Sequence, residues 1–239
     1  MLKVKTILSL LLCSLTAVTG RLSAQDAPDA GDYLTEAKSY ASIYSGKEGY
    51  RYPRYLLNHP YWDDGGYREG SVLYDGVGYA GVLIRLDLYR DELLLSSPDR
   101  RFEVALHAAG LDHALAPPYY IAWMGGEEAG LTQEGYYIRL YDGSGCQVWK
   151  RETKRIAQTQ NLYSNVLDTY FESRVVFYVF KDGAYHAVKS EASLLKLFPD
   201  KKKELRQYAR LMGLSFKKTP EKLIVDLVGQ YEQPDTENL

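Results

Sequence analysis

Between Ser71 and Val188 apolar and polar residues alternate in short runs, a period of two that reads as β-structure. Ser71 to Tyr74 and Val77 to Asp91 flank Asp75-Gly76. That dipeptide tolerates the positive φ angles of a two-residue turn, so the stretch predicts a hairpin. In its second strand Ile84, Leu86 and Leu88 share one face, and Arg85, Asp87 and Tyr89 the other. Leu93 to Leu95 and Phe102 to Leu106 continue the pattern, and Tyr119 to Met124, apolar throughout, predicts a central strand. Tyr136, Ile138 and Leu140 alternate with Tyr137, Arg139 and Tyr141 before Asp142-Gly143 turns the chain into Val148 to Lys154. Val175 to Phe180 is the most β-prone run, and Asp182-Gly183 turns it into Tyr185 to Val188.

Helical spacing appears elsewhere. Tyr33, Leu34, Ala37, Tyr40, Ala41 and Tyr44 predict a short amphipathic helix over 32–44, ended by Gly46. Arg51 to Asp64 is irregular, since Pro53 and Pro60 forbid a long element. Leu162, Val166 and Tyr170 are spaced by four and predict one or two helical turns within 161–170. The C-terminal region predicts three helices. The first is Ser190 to Phe198, stopped by Pro199. The second is capped by Asp200 and carries Leu205, Tyr208, Ala209 and Met212 on one face, with Gly213 at its end. The third starts at Thr219-Pro220-Glu221 and carries Leu223, Ile224, Leu227, Val228 and Tyr231. The expected fold is α+β: an antiparallel meander sheet, forming an open barrel or half-barrel, with a short N-terminal helix and three C-terminal helices. Residues 25–189 would form the β-rich domain, 190–233 a helical region packed on the sheet, and 234–239 a polar tail.

The first 24 residues change the picture. Lys3 and Lys5 precede the apolar run Ile7 to Leu12, and small residues lead to Ala24-Gln25. This pattern predicts a secretory signal over 1–24, cleavage after Ala24, and a soluble protein in the periplasm or outside the cell. Leu12 is too large for a lipoprotein cleavage site at Cys13, and no later stretch reaches the ~20 apolar residues of a membrane span. Removing the signal takes the balance from 29 basic and 31 acidic residues to 26 and 31. On whole-chain composition such a protein is a poor candidate for nucleic acid or an anionic membrane. Cys146 is then the remaining cysteine, so no internal disulfide forms. It reads as a small buried or loop residue.

Tyrosine is over-represented, at 22 residues against six phenylalanines. Its first reading is a sheet whose rings shield its own backbone, and its second a recognition surface. Candidate chemistry is thin. Asp63-Asp64-Gly65-Gly66 lacks the alternating oxygens and distal acid of a calcium loop and reads as an acidic turn. Lys150, Arg151, Lys154 and Arg155 read as a solvated strand end. His59, His107, His113 and His186 share no metal-ligand spacing, and His107 and His113 fall in an expected loop. Asp87, Asp91 and Glu92 meet at a strand end. Two carboxylates ~5–10 Å apart across a cleft would suit a glycosidase. Among 31 acidic residues, however, such pairs arise by chance.

Asn58-His59-Pro60-Tyr61-Trp62, the segment GSVLYDGVGY from Gly70 to Tyr79, and Asp87-Leu88-Tyr89-Arg90-Asp91 together resemble a family of uncharacterised exported proteins from Bacteroidota. The tail from Ser193 to Tyr231 resembles their C-terminal region too. Leu86 departs from the pattern, which has tyrosine before the aspartate. The resemblance implies export in a Gram-negative envelope and carries no activity or catalytic residues. Three functions follow as expectations. The first is a non-enzymatic binding or structural protein with an envelope partner and no cofactor. The second is a carrier of a lipid or other apolar ligand, and the third an uncommon hydrolase. His59, Tyr61, Trp62, Tyr79, Asp87, Tyr89 and Asp91 are the candidate surface for a ligand or partner.

Overall fold

Asp75 and Gly76 adopt φ angles of +49° and +75°, and the tight turn they form joins β2 (Arg68–Tyr74) to β3 (Val77–Asp87). The computed structural model describes residues 42–126, 128–161 and 166–233, all within the compact unit Ser39–Leu239. The other strands are β1 (Lys47–Glu48), β4 (Glu92–Ser96), β5 (Glu103–Ala105), β6 (Leu111–Ala116), β7 (Tyr119–Met124), β8 (Gly135–Asp142), β9 (Cys146–Gln160), β10 (Leu167–Lys181) and β11 (Ala184–Val188). They form one open antiparallel sheet in the order β1-β5-β4-β3-β2-β6-β7-β8-β9-β10-β11. This is not a simple meander. After β5 the chain crosses by a short 3-10 turn, Ala108–Gly110, and β6 pairs with the remaining edge of β2. The left-handed backbone at Gly76 disfavours any side chain, although the space around it is open. Gly76→Val is therefore expected to cost roughly 1 kcal/mol, and an unchanged melting temperature would refute this account of the turn.

Alternation decides the core. Val82, Ile84 and Leu86 of β3, Leu93 and Leu95 of β4, and Tyr136 and Ile138 of β8 bury themselves on one face of the sheet. Val148 of β9, Phe177 and Val179 of β10 and Val188 of β11 meet the C-terminal helices in a second cluster. Leu140 touches both clusters, so they share that face. On the opposite face Ala122, Met124, Tyr137, Trp149 and Tyr178 pack with Leu131 from the β7–β8 connection. Strands β7 to β10 are thus covered on both sides, which is why Tyr119 to Met124 shows no alternation. Many tyrosines belong to these layers: Tyr136, Tyr137 and Tyr178 are among the largest fully buried side chains.

The C-terminal helices are α1 (Glu191–Leu195), α2 (Lys202–Leu211) and α3 (Pro220–Glu232). A reciprocal capping box between Ser190 and Ser193 starts α1. Asp200 does not cap α2: the N-cap position is Lys201, with no side-chain cap bond. Thr219 precedes Pro220 as expected, but its hydroxyl engages Ser215 rather than the start of α3. At the other end of α3 Glu232 accepts from the N–H groups of Gly145 and Cys146 and from the Tyr141 hydroxyl, tying the helix to the β8–β9 turn. Cys146 is buried beneath the helices, and burial pushes its thiol up to about 11.

Several expectations need correction. Leu88 to Asp91 form a turn, not the end of a strand, although Leu88 is buried. Leu111 to Ala116 form β6, so His113 lies on a strand and not in a loop. Residues 167–170 belong to β10 and not to a helical turn, because fifteen residues of β10 pair with fifteen of β9. The signal at 1–24 and the tail at 234–239 lie outside the described residues, as does all but the end of the expected helix over 32–44. Lys150 and Arg151 are buried, at 9% and 6% exposed, so the basic cluster is not a solvated strand end.

Candidate binding surface

The site is built where β3 outruns β2. The first residue of β2, Arg68, pairs with Ile84, which leaves 86–88 without that neighbour. Pro60 to Trp62 take its place: the Trp62 N–H donates to the Leu86 carbonyl (2.9 Å), and the Leu88 N–H to the Pro60 carbonyl (3.0 Å). Asp87 sits at this junction, 1% exposed. Its carboxylate accepts from the N–H groups of Tyr89 and Arg90 (both 2.9 Å), fixing the turn, and from the Tyr52 hydroxyl (2.6 Å). Burial raises its pKa against those hydrogen bonds, and burial and the bond to Asp87 raise the phenol of Tyr52.

A carboxyl group whose pKa is raised by folding favours the folded state most when protonated. Its contribution is full below the ordinary aspartate value of about 3.9 and is lost as pH rises through the raised value. Urea unfolding of the wild type and Asp87→Asn across the acid range is expected to show the wild type losing ground as pH rises. A difference that does not change with pH would mean that Asp87 titrates normally.

Strand β9 holds the same segment from the other side. The Lys154 N–H donates to the Leu88 carbonyl (2.9 Å), and its Nζ donates to the carbonyls of His59 (2.9 Å) and Tyr61 (2.7 Å). Burial lowers the pKa of this lysine. Asn58 clasps Phe171 of β10 with both amide atoms, at 2.8 and 2.6 Å, and the Leu57 N–H reaches the Thr169 carbonyl (3.1 Å). These bonds tie segment 57–61 and the turn after β3 to β9 and β10, strands well removed from β3 in the sheet order, so the sheet curls.

An aromatic cluster fills the angle so formed. The Tyr52 ring lies edge-on to Tyr50 (4.8 Å), Phe171 (5.4 Å), Tyr61 (6.1 Å) and Tyr89 (6.1 Å). Ile156 pairs with Phe171 across the β9–β10 ladder, and Leu167 lies on the Phe171 side of β10, beyond Thr169. The outer members are open to solvent: Tyr50 is 47% exposed, Tyr89 40%, Leu57 65%, Ile156 46% and Leu167 56%. At the margin Arg90 lies over the Tyr50 ring (5.0 Å) and pairs with Glu92 (3.1 Å), which also pairs with Lys47 (3.1 Å). The result is an aromatic cluster with exposed apolar residues beside it on β9, β10 and the preceding loop, and charged side chains at its margin.

The other candidates divide between two places. Asp91 forms a bidentate pair with Arg151 (3.0 and 2.6 Å), and the Arg151 guanidinium also donates to the carbonyls of Glu134, Tyr136 and Glu152, each at 3.3 Å. Gly135, at φ +140°, makes room for this pair: a Cβ there would lie 2.2 Å from Arg151 Nη2 and 2.3 Å from Asp91 Oδ2. The pair lines an open cleft of about 470 Å³ with Tyr89, Glu134, Lys154 and Arg174. Asp87 and the histidines are not among its lining. Trp62 and Tyr79 belong to the core, 8% and 4% exposed. His59 stacks on Tyr61 (6.2 Å), and among the described residues its buried Nδ1 has no hydrogen-bond partner. Burial, then Lys154, lower its pKa. Tyr61 in turn stacks on the Arg85 guanidinium (3.6 Å), which pairs with Glu103.

Asp63-Asp64 forms a turn in which Asp64 accepts from the Gly66 N–H (2.8 Å) and Asp63 pairs with Arg68. Among the described residues no group of three or more His, Cys, Asp or Glu is placed to hold a metal. Sequence reasoning missed Tyr52, Asn58 and Phe171. Tyr52 and Asn58 lie in a proline-broken stretch without periodicity, and Phe171 follows a run read as helical. No protein family, curated protein or solved structure matches the chain.

Proposed function

We propose that this is a non-enzymatic exported protein that binds a protein partner on the Tyr50–Tyr52–Tyr89 patch. Export and kinship with the exported Bacteroidota proteins belong to the same proposal. One observation carries the reading: the exposed rings of Tyr50 and Tyr89 pack around Tyr52, with exposed aliphatic residues nearby, on a base held by Asp87, Asn58 and Lys154. Rings fixed before binding lose little freedom on contact, and a charged border around an aromatic centre is the usual anatomy of an interface. In this reading the curled sheet is an open half-barrel, its core face filled by its own side chains and its rim used for recognition.

The test is photo-crosslinking in the native envelope with a photoreactive phenylalanine at Tyr50 or Tyr89, and at Val77 as control. The first two positions are expected to trap one partner and the third none. Tyr50→Ala and Tyr89→Ala should then each weaken that partner's binding about tenfold. The same adducts from Val77, or no adduct from either tyrosine, would defeat the proposal.

A further inference from the structure

The charge of the whole chain hides a local one. Between residues 201 and 218 seven Lys and Arg side chains stand against one acid, Glu204, a local charge of +6 in a chain whose total is −2. The structure gathers much of this charge on α2 and the turn after it. Leu205 and Ala209 face inward, and Lys203, Gln207 and Arg210 lie on the opposite side of the helix. Lys202, Lys203, Arg206, Arg210, Lys217 and Lys218 are all exposed, and among the described residues none forms an ion pair. The helix then ends in two apolar side chains in open solvent, Leu211 at 77% exposed and Met212 at 54%. Gly213, at φ +63°, follows and turns the chain away. Among the described residues nothing covers either apolar group, although Leu214 and Phe216 just beyond are partly buried against the helical core.

We infer that α2 and its C-terminal turn dock on a lipid bilayer surface bearing anionic headgroups. The cations would lie among the headgroups, and Leu211 and Met212 would enter the acyl boundary. Exposed cations alone would suit any polyanion. An apolar tip set among them fits an interface that offers negative charge and, a few ångströms deeper, hydrocarbon. Nucleic acid offers no such layer to an aliphatic side chain. Among the described residues no helix is long and apolar enough to span a membrane, so this contact is peripheral. It lies on a different element from the aromatic patch and does not depend on it.

The test is vesicle flotation with the soluble protein recovered from the envelope or medium. Vesicles of phosphatidylcholine are compared with vesicles in which phosphatidylglycerol replaces part of it. The protein is expected to float with the anionic vesicles and not with the neutral ones. Lys203→Gln and Arg210→Gln should each lower the partition coefficient about fivefold. Leu211→Ser should lower it about tenfold while leaving the salt dependence unchanged. All three side chains are exposed, and circular dichroism melts of the variants should match the parent. A parent that fails to float overturns the inference. So does flotation that survives both Leu211→Ser and Met212→Ser, and if that protein also binds single-stranded nucleic acid the patch is a general polyanion site.

Discussion

Leu227→Asp is expected to unfold the sheet together with the helices. Leu227 is 0% exposed in a cluster that joins Leu205, Leu223, Ile224 and Val228 of the helices to Val148, Phe177, Val179 and Val188 of the sheet. Helix α3 packs directly on β8 and β9. Short helices are marginal in water alone, and the sheet would expose a row of Val and Phe side chains without them, so each stabilises the other. An aspartate there would sit among the apolar side chains of this cluster. Taking an unpaired carboxylate out of water costs several kcal/mol, a large part of the 5–15 kcal/mol that holds a typical domain folded. Hydrogen exchange on the variant should show protection lost in β8 to β11 as well as in α1 to α3. Loss confined to residues beyond Ser190, with the strands still protected, would instead mark the helices as a separate unit.

Asp91→Ala is the second large effect, expected to cost about 3 kcal/mol or more. Asp91 supplies both carboxylate oxygens to Arg151, whose side chain is only 7% exposed. Removing the acid leaves a guanidinium that three carbonyls solvate and that, among the described residues, has no other ion pair. The pair also links the β3–β4 turn to β9, and the Lys154–Leu88 backbone bond beside it depends on the same approach. Denaturant unfolding measures the loss. Asp91→Leu combined with Arg151→Met should recover much of it, since an apolar pair of similar volume carries no buried charge. A single variant as stable as the parent would mean that the pair contributes nothing and that packing alone closes the curl.

Strands were legible from sequence where residue types repeat every second position, as around Ile84 and Leu86 and around Tyr136 and Ile138, or where a short run is apolar throughout, as at Tyr119 to Met124, a strand covered on both faces. The Asp-Gly turns at 75–76 and 182–183 were legible because the chemistry of a tight turn is local, and both show positive φ at each residue. Strand β6 escaped notice: Leu111, Ala114 and Ala116 are too few and too small to make a pattern, and only the partners β2 and β7 reveal it. Residues 167–170 escaped for the opposite reason. A spacing of four among Leu162, Val166 and Tyr170 satisfies a helix, but pairing with β9 fifteen residues long outweighs that local preference.

The candidate site followed the same division. Tyr61 lies in one short segment and Asp87 and Tyr89 in another, and the structure brings both around Tyr52 and Phe171, which are far from one another in sequence. Asp91, close to Asp87 in sequence, is turned by a left-handed backbone (φ +56°) toward Arg151 instead. The sequence by itself determined what depends on neighbours: the alternation that makes strands, the Asp-Gly turns, and the apolar stripes of three C-terminal helices. The tertiary structure decided what depends on residues distant in the chain: that β6 returns to β2, that the helices cover β8 to β11, that Lys150 and Arg151 are buried, and that Asn58 meets Phe171. Local rules act through backbone geometry over a few residues. Burial and ion pairing are set by which distant segment arrives to exclude the water, and a linear pattern of residue types does not contain that information.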